Sequence, residues 1–420
     1  MERRSFLSMG AAAGAALWLP RSFGAQVGAP GVSRGSGYRN LLILVELKGG
    51  NDGLNTVIPF ADPTYYALRK NIGIKRELAI QLDERTALHP SLQPLMPLWR
   101  SQQLAIVQGL GYAQPNLSHF RSTEIWDTAS RADQYLRDGW LTRAFAHMPV
   151  PTGFAADGVV IGSPEMGPLA HGVRAFMLTN PAQWSEATWP AMPTTPILQT
   201  RNPALTNHRD NAGSVGKGIA KAPNRVRPAQ RQAQLKTVFP NGAFGNAIKT
   251  AMQLLALQDV PREGASNNTA QSQPTGGQGV AVIRLTLHGF DTHQNQQVRQ
   301  TALLRQLAEG LTSMKSALVE LGRWDSTLVM TYAEFGRRAR ENDNKGTDHG
   351  TVAPHFVMGG RVRGGLYGTP PTLARLDGHG NLPLGVDFRQ LYATVLGPWW
   401  GLDASAILKQ RFEPLPLLRV

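Results

Sequence analysis

The chain has 420 residues, 42% of them hydrophobic and 17% charged, which is enough apolar material for one large globular domain or two ordinary ones and excludes a disordered tail or a small stapled module. It contains no cysteine, so disulfides, thiolate zinc sites, iron-sulfur clusters and cysteine nucleophiles are excluded, and any metal must be held by Asp, Glu, His, Asn or hydroxyl groups. Lys and Arg outnumber Asp and Glu by 43 to 29, a formal charge of +14 that favours anionic partners such as phosphate or sulfate esters, acidic glycans or lipid headgroups. No basic stripe interleaved with aromatics is present, so nucleic acid is not expected as a partner.

At the start of the chain, Arg3-Arg4-Ser5-Phe6-Leu7 precedes the Ala/Gly-rich run Met9 to Leu19, followed by Pro20, Arg21 and the small residues around Gly24-Ala25. A paired arginine directly before a mildly apolar run too short to span a bilayer reads as a twin-arginine signal peptide over 1–25, rather than as an ordinary buried helix. The expectation is a periplasmic or secreted protein delivered by the twin-arginine export machinery. No later segment is an uninterrupted apolar run of membrane-spanning length, so no transmembrane segment is expected once the leader is removed.

A linker over 26–40, rich in Gly and Ser between Gly28 and Gly37, leads into a domain over 41–420 that alternates strand-like and helix-like stretches. That alternation predicts an α/β fold with a mainly parallel central sheet flanked by helices. The strands are expected at Leu41 to Leu47, Leu104 to Leu110, Val159 to Ile161, Ala175 to Leu178, Val280 to Leu287, Thr327 to Ala333 and Phe356 to Met358, mostly continuous apolar runs of the kind a sheet covered on both faces requires. Thr301 to Leu321 reads as the clearest helix, with Leu303, Leu304, Leu307, Leu311, Met314, Leu318 and Leu321 at helical spacing. Two polar insertions interrupt the pattern, a basic one near 200–236 and a Ser/Asn/Gln/Gly-rich one near 263–279.

In an open α/β sheet ligands bind beyond the carboxyl ends of the strands, so polar residues just after an apolar run carry the most weight. Asn51-Asp52 follows the first strand among Gly49, Gly50 and Gly53, either as a functional carboxylate or as a plain Asx turn. His288-Gly289-Phe290-Asp291-Thr292-His293 follows Val280 to Leu287, and its carboxylate and imidazoles can converge on one divalent cation or simply hydrogen-bond a loop. After Thr327 to Ala333 come Glu334-Phe335-Gly336-Arg337-Arg338, the adjacent pair Asp348-His349 between glycines, and His355. Asn116-Leu117-Ser118-His119-Phe120-Arg121 opens a helical stretch, where Ser118 is either an N-cap or a nucleophile favoured by the helix dipole.

Taken together, Arg3 to Leu7, Leu47 to Pro59, Leu88-His89-Pro90, Ser118-His119-Phe120, Phe335-Gly336-Arg337, Gly346-Thr347-Asp348-His349-Gly350 and Val386-Asp387-Phe388-Arg389 resemble an exported bacterial family catalogued as domain of unknown function 1501. The resemblance spans nearly the whole chain after the leader. It implies membership of the alkaline phosphatase and sulfatase superfamily, with an alkaline phosphatase-like fold, one or two divalent metal ions (zinc, manganese, calcium or magnesium) at the carboxyl edge of the sheet, and ester hydrolysis through a hydroxyl nucleophile. Carried over by position, it implies Asp52 as the first metal-binding aspartate in preference to Glu46, Ser118 as nucleophile, Asp291 with His293 and Asp348 with His349 as further ligands, and a last histidine at His355 or His379. His119 would be a ligand or a donor to the bound anion, and Arg121 or Arg337 could grip non-bridging oxygens unless they are surface arginines. The expected function is an exported metal-dependent hydrolase of phosphate or sulfate esters. The alternative is a non-catalytic envelope protein that keeps the fold and binds a metal, an acidic glycan or a protein partner.

Overall fold

The computed structural model describes residues 37–151, 153–172, 174–180, 235–258 and 279–419, which lie in one compact unit, Gly35–Val420. The proposed leader, nearly all of the linker and both polar insertions, apart from a few residues at their edges, fall outside the described residues.

The centre is a nine-stranded sheet. Its strands are β1 Leu41–Lys48, β2 Leu104–Gly111, β3 Ala156–Ile161, β4 Ala175–Leu178, β5 Val280–His288, β6 Thr327–Tyr332, β7 Ala353–Met358, β8 Gly365–Gly368 and β9 Val386–Asp387. They lie in the order β8-β2-β7-β6-β1-β5-β3-β4, with β9 also beside β2. All these pairings are parallel except those of β7, which runs antiparallel to both β2 and β6. The expected mainly parallel α/β sheet flanked by helices is therefore present, and every strand read from the sequence lies in it.

The continuous apolar runs are explained by burial on both faces. Along β1, Leu41, Ile43, Val45 and Leu47 face one core while Leu42 and Leu44 face the other, as period-two alternation requires. The first core is covered by helices Ala243–Gln258 and Gln296–Glu320; the second is covered by His119–Thr128, Trp140–His147 and Phe388–Thr394. We number these five helices in chain order: α1 His119–Thr128, α2 Trp140–His147, α3 Ala243–Gln258, α4 Gln296–Glu320 and α5 Phe388–Thr394. In the second core Trp126 stacks on Phe388 at 4.2 Å and Trp140 on Tyr392 at 4.3 Å, which locks α1, α2 and α5 together. No helix among the described residues is long and apolar enough to cross a membrane.

α4 begins five residues before the expected Thr301, because its first inward-facing residues, Gln296 and Gln300, are polar and leave no trace in apolar spacing. α3 is an element for which the sequence reading names nothing. It packs Phe244 and Ile248 against Gly310 of α4, where a Cβ would collide with both.

Candidate metal centre

The parallel strands fix where chemistry can gather. β1, β2, β5 and β6 all point their carboxyl ends to one edge, and antiparallel β7 begins there. Meeting at this edge are Gly49–Asp52 after β1, the loop from Tyr112 to Ser118 after β2, Gly289–His293 after β5 and Ala333–Phe335 after β6. A short antiparallel ribbon pairing Gly336–Arg337 with His349–Gly350 joins them.

Two glycines make the approach possible. Gly49 (φ 116°) and Gly50 (φ 78°) sit in backbone regions L side chains avoid, and a Cβ would strike the Asp291 backbone from the first and the Phe335 ring from the second. Their closeness lets the wholly buried Arg337 tie four segments together. Its Nε donates to the Gly50 carbonyl at 2.8 Å, and Nη1 donates to that of Thr347 at 2.8 Å. Its Nη2 reaches the Gly49 carbonyl, that of Phe290 at 3.1 Å and Asp291 Oδ1 at 2.6 Å.

Held this way, Asp291 is the hub of a His/Asp cluster. A ring nitrogen of His119, one of His349 and an Asp291 oxygen lie within 4.8 Å of one another, the one group of this kind among the described residues. Nε2 of His119 is 3.5 Å from Asp291 Oδ2, and Nε2 of His349 is 3.2 Å from Oδ1. Nε2 of His293 joins them, 3.0 Å from Asp291 Oδ1 and 2.9 Å from His349 Nε2.

Each imidazole is also held from outside. His119 Nδ1 meets Glu334 Oε1 at 2.9 Å, His349 Nδ1 meets the Leu117 carbonyl at 2.8 Å, and His293 Nδ1 faces Asp348 Oδ1 at 3.5 Å. A carbonyl and a carboxylate can only accept, so His119 and His349 carry their hydrogens on Nδ1. The Nε2 of each ring is thereby left facing Asp291. An imidazole fixed by an outer acceptor, with its other nitrogen facing a carboxylate, is how proteins prepare a metal ligand. The set fits a divalent cation, and its nitrogen and carboxylate donors suit zinc or manganese.

The electrostatics agree. Burial alone would raise the Asp291 carboxyl, but the bond and charge of Arg337, with His349 and His293, hold it at about 2, so it stays ionised. Burial lowers His349, which favours its neutral ring. The hydrogen bond to Glu334 outweighs burial at His119 and raises it. Glu334→Gln is therefore expected to lower the His119 pKa, readable by NMR titration, and to weaken metal binding about 10–100-fold, readable by competition with a chelator.

The other expected site residues lie elsewhere or play other parts. Asp52 is fully buried at the start of the short turn Gly53–Thr56. Arg69 grips both of its oxygens, Leu54 N caps onto Oδ1, and Gln296 Nε2 donates to Oδ2, so no face is left for a cation. His355, inside β7, is buried beside Thr331 and Trp126; burial lowers it to about 3, and its hydrogen bond does not reach the cluster. His379 sits in an exposed turn organised by Asp377, and Glu46 is paired with Arg284 at 2.6 Å inside the sheet. Asp348 stands behind His293 and accepts from Asn342 at 3.2 Å.

Arg121 turns away from the cluster. Its Nη2 donates to the carbonyls of Arg131, Ala132 and Gln134, and its guanidinium stacks on Tyr135. Ser118 holds the N-cap position of α1, but its hydroxyl makes no capping bond and the residue is exposed.

Three contributors are given no role by the sequence: Glu334 and the Leu117 carbonyl, which lie within strings named there, and Gln296. Glu334 had a readable signal, a carboxylate right after an apolar strand. Gln296 had none. Its Oε1 accepts from Thr292 at 3.0 Å and from Thr347 at 2.5 Å, latching the loop that carries Asp291 and His293 to the loop that carries Asp348 and His349.

None of the curated proteins compared with the chain matches it. Among solved structures it is similar to the lipoteichoic acid synthase LtaP from Listeria monocytogenes, at 9% identity over 80% of this chain and 72% of that one, with a TM-score of 0.34. It is also similar to a protein in the alkaline phosphatase superfamily from Vibrio parahaemolyticus, at 11% identity over 78% of this chain and 62% of that one, with a TM-score of 0.31. A third is the C-terminal periplasmic domain of EcEptC from Escherichia coli in complex with Zn, at 8% identity over 76% and 72%, with a TM-score of 0.33. The chemistry rests on the residues themselves. By sequence, with residues 105–411 of its 420 matched, the chain belongs to the family described as protein of unknown function (DUF1501).

Proposed function

We propose that the chain is a metal-dependent hydrolase of phosphate or sulfate esters. The observation that carries this reading is the set of donors converging on Asp291, each imidazole held from outside by an acceptor. His119, Asp291, His349 and His293 would hold the ion, with Glu334, the Leu117 carbonyl and Asp348 behind them. A divalent cation there supplies Lewis acidity toward an ester oxygen and lowers the pKa of a neighbouring hydroxyl.

The chain's own groups supply the rest. Ser118 directly precedes His119, is exposed, and has its hydroxyl committed to no cap, so it is the nucleophile we assign. No side chain caps the first turn of α1, and its N–H groups are placed to receive an anionic oxygen. Arg337 spends its donors on backbone carbonyls and Asp291, and Arg121 turns its Nη2 to backbone carbonyls and its Nη1 to Glu124, so contact with non-bridging oxygens falls to Arg338, partly exposed and 3.8 Å from Asp348. Side chains of Asp291 and His293 are 45% and 43% exposed, which leaves the cluster open to a substrate.

The test is turnover of a phosphate monoester, a phosphodiester and a sulfate ester by the purified protein, with and without added zinc or manganese. Ser118→Ala is expected to abolish turnover while metal binding is unchanged. An unaltered rate would remove serine as nucleophile. The consumption of both arginine forks is the one observation that favours a non-catalytic, metal-binding envelope protein; absence of turnover on every ester with the metal bound would select that reading.

The reading includes export, motivated by Arg3-Arg4 before the apolar run. Replacing both arginines by lysine is expected to leave folded protein in the cytoplasm, and undiminished export in a fractionation experiment would rule out the twin-arginine route.

A further inference from the structure

We propose that a basic cleft between residues 66–78, residues 89–94 and the outer face of α4 is a second binding site, which takes an acidic oligosaccharide and is separate from the Asp291 cluster. The cleft has a volume of about 840 Å³, within the range of ligand pockets, and no residue of the cluster lines it.

Charge is the first argument. Lys70, Lys75, Arg76 and Arg305 line the cleft against two carboxylates, Glu77 and Glu309, and among the described residues none of these six forms an ion pair. Arg69 also lines it, but Asp52 already satisfies that charge. Four cations against two carboxylates leave the concavity net positive, and a bound anion offsets that excess.

The second argument is a weakly satisfied donor in the cleft's lining. His89 is only 3% exposed; its Nδ1 accepts from Ser91 N, so the hydrogen sits on Nε2. That Nε2 faces Thr301 Oγ1 at 3.5 Å, the outer limit of a hydrogen bond, while the Thr301 hydroxyl spends its own hydrogen on the Gln297 carbonyl. Burial lowers His89 to about 4, so the ring is a neutral donor at physiological pH. A ligand hydroxyl seated here would replace the stretched contact.

The lining distinguishes between anions. Apart from the buried His89 imidazole, Tyr66 is the one aromatic side chain in the lining, and it offers a sugar ring a single stacking partner. Single-stranded nucleic acid calls for a series of stacking rings, and the cleft has none. Neutral groups such as Gln297 and Thr301 beside the cations suit a ligand that mixes hydroxyls with carboxylate, sulfate or phosphate.

The experiment measures binding by calorimetry on the full chain, in chelator so that the metal centre plays no part. The probes are a heparin-derived tetrasaccharide, a galacturonate tetramer, neutral maltotetraose, inorganic sulfate and phosphate, and a single-stranded DNA of matched charge. Binding of at least one acidic tetramer is expected, weakened by salt and absent for maltotetraose. The variant K70Q/K75Q/R305Q should bind it about tenfold or more weakly with its melting temperature unchanged, whereas Asp291→Asn should bind it as the parent does. The two acidic tetramers tell sulfate from carboxylate recognition, and either one supports the proposal. Four results would overturn it: undiminished binding by the triple variant, loss of binding in Asp291→Asn, displacement of the sugar by equimolar inorganic sulfate or phosphate, or tighter binding of the DNA.

Discussion

Asp291→Asn is expected to lower metal affinity by more than about 100-fold, beyond the 10–100-fold typical of an outer partner, and to leave the metal-free fold intact. Asp291 is the one residue that meets His119, His293 and His349 together, so losing its charge removes the attraction around which the donors are arranged. The fold should survive because the carboxylate is 45% exposed and Arg337 keeps its four carbonyl acceptors. Zinc should therefore raise the melting temperature of the parent but not of the variant, and the two should melt together in chelator. Asp348→Asn makes the contrast. It reaches the cluster only through His293, so its loss should be about tenfold. Equal losses in the two variants would move Asp348 into the set that touches the ion.

The contrast between Asp52 and Asp291 shows what a sequence can and cannot say about such a site. Both follow apolar strands, and both strands were legible because parallel pairing buries their two faces and leaves unbroken runs of Leu, Ile and Val. Position at the carboxyl edge was legible for the same reason. What separates the two aspartates is partner choice. Arg69, seventeen residues downstream of Asp52, folds back onto it, while Arg337 from the ribbon after β6 leaves nearly half of Asp291 in solvent. Nothing local marks either pairing.

His355 was opaque in the same way. Its place within β7 was not, but the face it presents is set by strand register, and that face is the Trp126 core. The latch at Gln296 was hidden because a polar residue on the inner face of a helix interrupts the only periodicity a single sequence offers.

Arg69→Met is expected to cost about 3–5 kcal/mol of stability, the largest loss of any single change considered, because it strands a buried carboxylate without its partner. Both side chains of the pair are 0% exposed, and the guanidinium meets the carboxylate two-pronged, at 2.5 and 3.0 Å. Arg69 also donates to Asn55 Oδ1 at 2.8 Å and to the carbonyls of Ala339 and Arg338 at 2.8 and 3.0 Å, so the turn after β1 and the loop after β6 loosen together. The double variant D52N/R69M should be less destabilised than the sum of its singles, since the stranded charge is gone.

The loss in Arg69→Met should persist in full in chelator, which separates this pair from the ligands. Metal affinity should fall as a secondary effect, because Asp52 accepts from Gln296 and Gln296 holds Thr292 and Thr347. Denaturant unfolding of the three variants in chelator and in zinc measures both effects. If Asp52→Asn loses stability only when zinc is present, Asp52 binds the ion and the buried pair is not its main role.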